Sequence, residues 1–304
     1  LPEVRLTDNA SLPVGTYVVK VQGVEQARDR LFPEKALALL PENLDGLPAG
    51  EDVSEPVYGA PARWVSQEAQ EDAALSGITI VTATEVLATH LLEVIKRNLP
   101  RLLTLKALRR LLDEFVNLSD AGRAEANRRL IDELIPDKVP IDLLLSVMRL
   151  LLEERVSIRN LPLILEAISE ARPMSPAPEA ICEHVRQKLG FQLVAEIKRE
   201  DGTIPLVQLA PEWEQSFNTY QLESERGFAE VALPPEDFNR LAGGLAEKLA
   251  KASEAGIYPA VATPRHRRRF LKAVLSAKGI ANPVLSFEEI GIEARPSLVG
   301  MVPA

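Results

Sequence analysis

The sequence predicts a mixed α+β and α/β chain of several subdomains: small α/β subdomains first, then a helical bundle, then a C-terminal α/β subdomain. Three observations carry this. Short apolar runs separated by turn residues fill the chain up to Val81, and an unbroken helical periodicity runs from Thr104 to Ala171. A strand–helix–strand pattern over Tyr258–Phe287 then reads as a βαβ unit. At 304 residues the chain is long enough for more than one core, and with 5% aromatics that core must be built from Leu, Ile, Val and Ala.

The first elements are short. Thr16–Val24 alternates, with Tyr17, Val19 and Val21 against Val18, Lys20 and Gln22, and reads as a strand between Gly15 and Gly23. Leu31–Leu40 is a second apolar stretch, and Pro41–Pro61, rich in Pro, Gly and acids, reads as an irregular loop. Ala62–Val65 is a further strand. Ser66 then caps an acidic helix over Gln67–Leu75, Gly77 ends it, and Ile78–Val81 is a strand. Thr82 and Glu85 form a capping box, with Val81 and Val86 as the hydrophobic staple. In the helix that follows, Leu87, Leu91, Val94 and Ile95 are the expected buried stripe. Glu85, Thr89, Glu93 and Lys96 fall on another face.

Four helices are expected next, over Leu105–Phe115, Ala121–Ile135, Ile141–Glu153 and Asn160–Ala171. Pro162 is tolerable in a first turn, where backbone N–H groups lack intrahelical partners. Arg172–Pro178 (RPMSPAP) reads as the best linker in the chain. A helix over Glu179–Leu189 follows, then a hairpin of Phe191–Arg199 and Ile204–Leu209 around the turn Glu200-Asp201-Gly202-Thr203. Pro234–Ala255 is an amphipathic helix. Tyr258–Ala262, Pro264–Ala277 and Pro283–Phe287 are the strand, helix and strand of the closing βαβ unit.

Composition narrows the function. A net charge of −9 argues against nucleic acid as the main partner, because phosphate binding needs concentrated Lys and Arg. One cysteine, Cys182, allows no intramolecular disulfide and fits a reducing compartment. The start, LPEVRLTDNA, lacks a basic segment followed by an apolar run. The richest apolar run, Leu143–Leu152, is too short for a bilayer and contains Arg149. The chain therefore reads as soluble, and without an initiator Met as a fragment of a longer protein.

No phosphate loop, dinucleotide fingerprint or nucleophile elbow is present, so no catalytic residue and no cofactor site is assigned. Cys182 is read as a packed small residue. His90, His184 and His266 are far apart without ligand spacing, so no metal site is assigned either. His90 is read as a helix residue packed near a subdomain boundary, with the shaping of a partner-binding cleft as its functional alternative. The basic run Arg265–Arg269 has no interleaved aromatics and reads as a solvated face or a protein–protein surface, with acids such as Glu51–Glu55 of a neighbouring subunit as partners. Tyr58, an aromatic among turn residues, is left open between a loop plug and a binding anchor.

Five segments carry a resemblance: LPEVRLTDNASLPVGTYVVKVQGV, VYGAPARWV, GITIVTATEVLATHLLEVIKRN, LLEERVSIRNLPLILEAI and the terminal RRFLKAVLS…PVLSFEEI. In this order and spacing the chain resembles the cytosolic half of the FlhA/SctV family, the large export-gate component of flagellar and injectisome type III secretion systems. ATHL favours the flagellar branch. The resemblance implies a docking and assembly module rather than an enzyme. It also implies four subdomains: 1–32 with 83–103, an inserted 33–82, a helical 104–172, and 173–304. The bundle would supply much of the subunit contact in a ring taken to be nonameric, and motion of the fourth subdomain would gate the cleft.

The implied partners are further copies of the chain, export chaperone–substrate complexes, gatekeeper proteins and the stalk of the secretion ATPase. The membrane would be reached through a multi-helix half absent from this sequence, on the cytoplasmic face of the bacterial inner membrane. In flagellar members chaperones dock where an acidic and an aromatic residue precede G-x-P-A-x-W and where the threonine of A-T-H-L lies. The matching positions are Glu55, Tyr58 and Thr89, with His90 beside them. The residues alone leave open an enzyme whose site assembles from scattered acids.

Overall fold

The structure is a computed structural model that describes residues 4–40, 49–222 and 230–304. The chain divides into two compact units, Leu1–Leu108 and Arg109–Ala304.

In the first unit, β1 (Thr16–Val21) and β2 (Val24–Arg30) form an antiparallel hairpin closed by Gln22 and Gly23, at φ +52° and +82°. Positive φ at both turn positions matches the twist of the flanking strands. β2 reads VEQARDR and has no apolar alternation, so only its backbone pairing to β1 reveals it. A four-stranded antiparallel sheet follows, from β3 (Lys35–Leu39), β4 (Gly50–Ser54), β5 (Pro61–Ser66) and β6 (Thr79–Thr82), in the order β4-β5-β3-β6. Between β5 and β6 lies α1 (Gln67–Leu75). Leu37, Trp64 and Val86 pack on one side of the sheet, Ala36, Ala38 and Val65 on the other, as the two-residue period of a strand requires.

β4 lies inside the segment expected to be an irregular loop, of which residues 41–48 fall outside the described residues. It is a mostly exposed strand, held by its ladder to β5. A Cβ at Gly50 would stand 2.3 Å from the Trp64 carbonyl oxygen, so only glycine fits there. Glu51 and Asp52 pair within this sheet with Lys35 at 3.6 Å and Arg63 at 2.5 Å, with both acids remaining largely exposed.

α2 (Ala83–Leu102) opens on the expected capping box. Thr82 Oγ1 accepts from the Glu85 N–H at 3.3 Å, and the Glu85 carboxylate accepts from the Thr82 N–H at 2.8 Å. Its buried face is rotated from the expected one. Ala83, Val86, His90, Glu93, Val94 and Asn98 are buried, whereas Leu87, Leu91 and Ile95 are only half-buried. Apolar residues surround more than one side of α2, so spacing alone does not choose the side; contact with β1, β3 and β6 does. Thr89 is exposed as expected, but Glu93 is buried and pairs with Lys96 at 2.7 Å. The next helix, α3, spans Leu105–Val116.

In the second unit, α4 (Ala121–Leu134), α5 (Ile141–Glu153) and α6 (Leu161–Ala171) lie where the periodicity places them. Arg172–Pro178 is a turn and not a spacer: it folds α7 (Pro178–Lys188) back onto both α5 and α6. Val147, Met148, Leu151, Ile164, Leu165 and Ile181 are fully buried. α8 (Gly190–Ile197) occupies the segment expected as the first strand of a hairpin. The turn itself is real, with the Asp201 carboxylate accepting from the Thr203 N–H at 2.8 Å and Gly202 at φ +81°. It joins a helix to β7 (Thr203–Leu209), whose sheet neighbours come from distant segments.

After α9 (Glu212–Thr219) come the two-residue strands β8 (Gln221–Leu222) and β9 (Glu230–Val231), then α10 (Pro235–Glu254), β10 (Ala260–Thr263), α11 (Arg265–Ala277), β11 (Val284–Ser286), α12 (Phe287–Ile290) and β12 (Arg295–Val302). The sheet runs β11-β10-β7-β12 with all pairs parallel, and β10-α11-β11 is the expected βαβ unit. Val207, Trp213, Phe217, Leu245, Val261 and Leu271 share one core on this sheet.

Two residues of the run Arg265–Arg269 depart from the solvated or inter-protein surface expected of it, while His266 is exposed and Arg265 and Arg269 are half-buried. Arg267 and Arg268 are 1% and 0% exposed. They lie on the α11 side that also carries Leu271, Val274 and Leu275, and carboxylates distant in sequence meet them there. No helix among the described residues is long and apolar enough to cross a membrane.

Candidate partner-binding site

Tyr58 sits at the tip of the β4–β5 hairpin. Ser54 pairs with Pro61 at its base, and the connection is pinned from within. The Glu55 N–H donates to the Ala60 carbonyl at 2.7 Å, and the Glu55 carbonyl accepts from the Gly59 N–H at 2.9 Å. Gly59 adopts φ +74°, a region L-residues avoid. Val57 is buried, and its carbonyl lies 3.5 Å from the Arg97 guanidinium on α2. Tyr58, the next residue, is 71% exposed. Of the two readings left open by sequence, the plug position belongs to Val57.

Thr89 and His90 are consecutive on α2 and face differently. Thr89 is exposed, whereas His90 is buried and its Nδ1 shares a 2.6 Å hydrogen bond with the Tyr17 hydroxyl on β1. The two rings meet edge to face, with centroids 5.7 Å apart. Burial, together with the negative charges of Asp29 and Glu55, raises the Tyr17 pKa well above that of a free phenol. Tyr17 therefore remains a neutral hydroxyl at a half-buried position between β1 and α2.

His90 thus bonds Tyr17 and Glu55 bonds its own turn, while Tyr58 and Thr89 are presented to solvent from separate elements. Tyr17, Val57 and Arg97 escape sequence reading, because their partners lie 73 residues away for Tyr17 and 40 for the Val57–Arg97 pair. The remaining histidines bond singly to carboxylates, His184 to Glu170 at 3.2 Å and His266 to Glu214 at 3.1 Å. Among the described residues no group of three His, Cys, Asp or Glu side chains is arranged to hold a metal ion. Cys182 is buried, and desolvation, aided by the neighbouring Glu183, pushes its thiol up to about 12. What this surface offers is a projecting phenol ring and a hydroxyl on firmly seated elements.

The fold is shared with solved proteins, among them a cytosolic domain from a type III secretion system. The Chlamydia pneumoniae CdsV protein matches with a TM-score of 0.79 at 22% identity, over 97% of this chain and 82% of that one. CdsV in its complex with CdsO matches with a TM-score of 0.77 at 22% identity, over 98% and 83%. The nonameric EscV cytosolic domain from the type III secretion system matches at 0.66 and 21% identity, over 91% and 79%.

The chain belongs to the FHIPEP family, whose model matches residues 1–295. The flagellar biosynthesis protein FlhA of Caulobacter vibrioides is 32% identical over 302 residues, 99% of this chain and 42% of that protein. FlhA of Bacillus subtilis is 28% identical over 305 residues, 99% and 43%. The chain thus spans less than half the length of these relatives. The resemblance carried by the sequence segments is confirmed, and so is the mixed, multi-subdomain fold class.

Proposed function

We propose that this chain is a docking platform in a flagellar type III export apparatus, receiving export chaperone–client complexes and passing clients toward a membrane gate, with no chemistry of its own. The carrying observation is Tyr58, whose ring stands 71% exposed at a hairpin tip braced by its own hydrogen bonds. Aromatic anchors on rigid supports are what protein–protein hot spots are made of. Thr89 joins it as a contact from α2, and His90 acts from beneath by bonding Tyr17.

Assembly into a nonameric ring on the cytoplasmic face of the inner membrane belongs to the same reading, supported by the nonameric EscV domain of like fold. A gatekeeper protein and the secretion ATPase stalk are further proposed partners; the complex of CdsV with CdsO shows that a protein of this fold binds another protein. The reading keeps four subdomains, 1–32 with 83–103, 33–82, 104–172 and 173–304. Supporting it are the separate β1–β2 hairpin, the β3–β6 sheet, the helices α3–α6 and the parallel sheet.

The test is titration of a purified flagellar export chaperone–client complex into wild type and Tyr58→Ala. A loss of about 1–3 kcal/mol with unchanged thermal unfolding is expected. Unchanged affinity would remove Tyr58 from the site. Light scattering across a concentration series, followed by electron microscopy, tests the ring.

A further inference from the structure

Both carboxylate oxygens of Glu55 are already engaged by the turn that Glu55 begins. Oε1 accepts from the Val57 N–H at 2.9 Å and Oε2 from the Tyr58 N–H at 2.7 Å. The Glu55 backbone contributes two more bonds, to Ala60 and from Gly59, and Ser54 Oγ donates to the Gly59 carbonyl at 3.0 Å. A single residue therefore closes the connection from both its side chain and its main chain. Charge-assisted bonds from a carboxylate to backbone N–H groups are among the stronger ones available to a short loop. Their result is the alternation seen at the tip, with Val57 turned in and Tyr58 turned out.

We propose that Glu55 is a positioning residue: its carboxylate fixes the turn that presents Tyr58, and it is not the partner's electrostatic contact. The inference rests on the docking reading of Tyr58 and adds to it the chemistry of the partner. What the hairpin tip offers is an aromatic ring beside a carboxylate whose two oxygens already accept backbone N–H groups of the turn. It fits an apolar pocket on the chaperone and not a cluster of Lys or Arg, so affinity should depend only weakly on salt.

Two variants of the whole chain test this. Glu55→Gln removes the charge and keeps a carbonyl acceptor for the turn; Glu55→Ala removes both acceptors. Amide hydrogen exchange, which needs no partner, should quicken at both Val57 and Tyr58 in Glu55→Ala by about tenfold or more, at only one of the two in Glu55→Gln, which keeps one acceptor, and nowhere else. Titration with the chaperone–client complex should show Glu55→Ala as weak as Tyr58→Ala and the double variant no weaker than either. Glu55→Gln should retain most of the affinity with the salt dependence of wild type.

Unchanged amide exchange in Glu55→Ala overturns the proposal. So does a Glu55→Gln that binds as poorly as Glu55→Ala and loses a steep salt dependence shown by wild type. If Glu55→Ala loosens the amides while Tyr58→Ala leaves affinity intact, the docking reading fails and the turn-fixing role of Glu55 stands.

Discussion

Arg268, in the first turns of α11, reaches Glu154 at the C-terminal end of α5 through two hydrogen bonds of 2.5 and 2.8 Å, across 114 residues of sequence. The same guanidinium donates from Nε to Glu183 on α7 at 2.7 Å. Arg186 on α7 continues the network to Glu289 on α12 at 2.7 Å and back to Glu154 at 3.3 Å. Four helices of the second unit are thus joined by charges that are almost wholly out of water. Any rotation at Arg172–Pro178 that parted α5 from α11 would strand these charges.

Arg268→Met should therefore be severely destabilising. It leaves Glu154 and Glu183 buried without their main counter-charge, a defect that costs about 3–5 kcal/mol in comparable buried pairs. Urea unfolding of the variant measures this. A loss below about 1 kcal/mol would mean that water replaces the guanidinium at no great cost.

The same network sets an acid limit. Burial by itself would raise the Glu154 carboxyl, but hydrogen bonding and charge from Arg268, with Arg186 and Lys272, outweigh it and hold the group at about 2. A folded pKa below the unfolded one stabilises at pH values above the unfolded pKa and is lost as pH falls through the folded one. On the order of 3 kcal/mol should therefore drain away between about pH 5 and pH 2. Glu154→Gln should flatten that part of the stability–pH curve; a curve parallel to wild type would assign the acid sensitivity to other carboxylates.

Tyr17→Phe removes the hydroxyl from His90 Nδ1 and leaves a buried ring nitrogen without its partner. The expected cost is about 1–2 kcal/mol, seen as a lower thermal midpoint, with the ring packing preserved. An unshifted midpoint would show that the bond contributes nothing net.

Cys182 should resist thiol reagents in the folded chain. With the thiol pushed up to about 12, the thiolate population near pH 8 falls about a thousandfold below that of an ordinary cysteine, before any steric exclusion is counted. Iodoacetamide labelling should appear only with unfolding. Fast labelling of the native chain would contradict the burial of α7.

Much of the fold was legible from local signals. The capping box at Thr82 and Glu85, the helix limits from Ala121 to Ala171 and the β10-α11-β11 unit depend on residues within a few positions of one another, where side chain and backbone decide together. The exposure of Thr89 was legible for the same reason. β2, β4 and β12 were not, because their residues carry little apolar alternation and each strand exists by pairing with another segment. The α8 segment misled because an apolar run before an Asp-Gly turn suits a strand or a helix equally; only the absence of a sheet position beside it decides.

By itself the sequence determined the family, most of the helices of the middle of the chain, and the exposure of Thr89. Tertiary structure decided which charges are inside. The RHRRR run reads as surface in any window, since cations are costly to bury until partners meet them, and Glu154, Glu183 and Glu214 arrive from 53 to 114 residues away. It also gave the packed His90 its partner, by setting Tyr17 of β1 against it. Local chemistry is written in neighbouring residues, whereas burial is a property of the assembled whole, and long-range pairing is what turns an expensive buried charge into a tie.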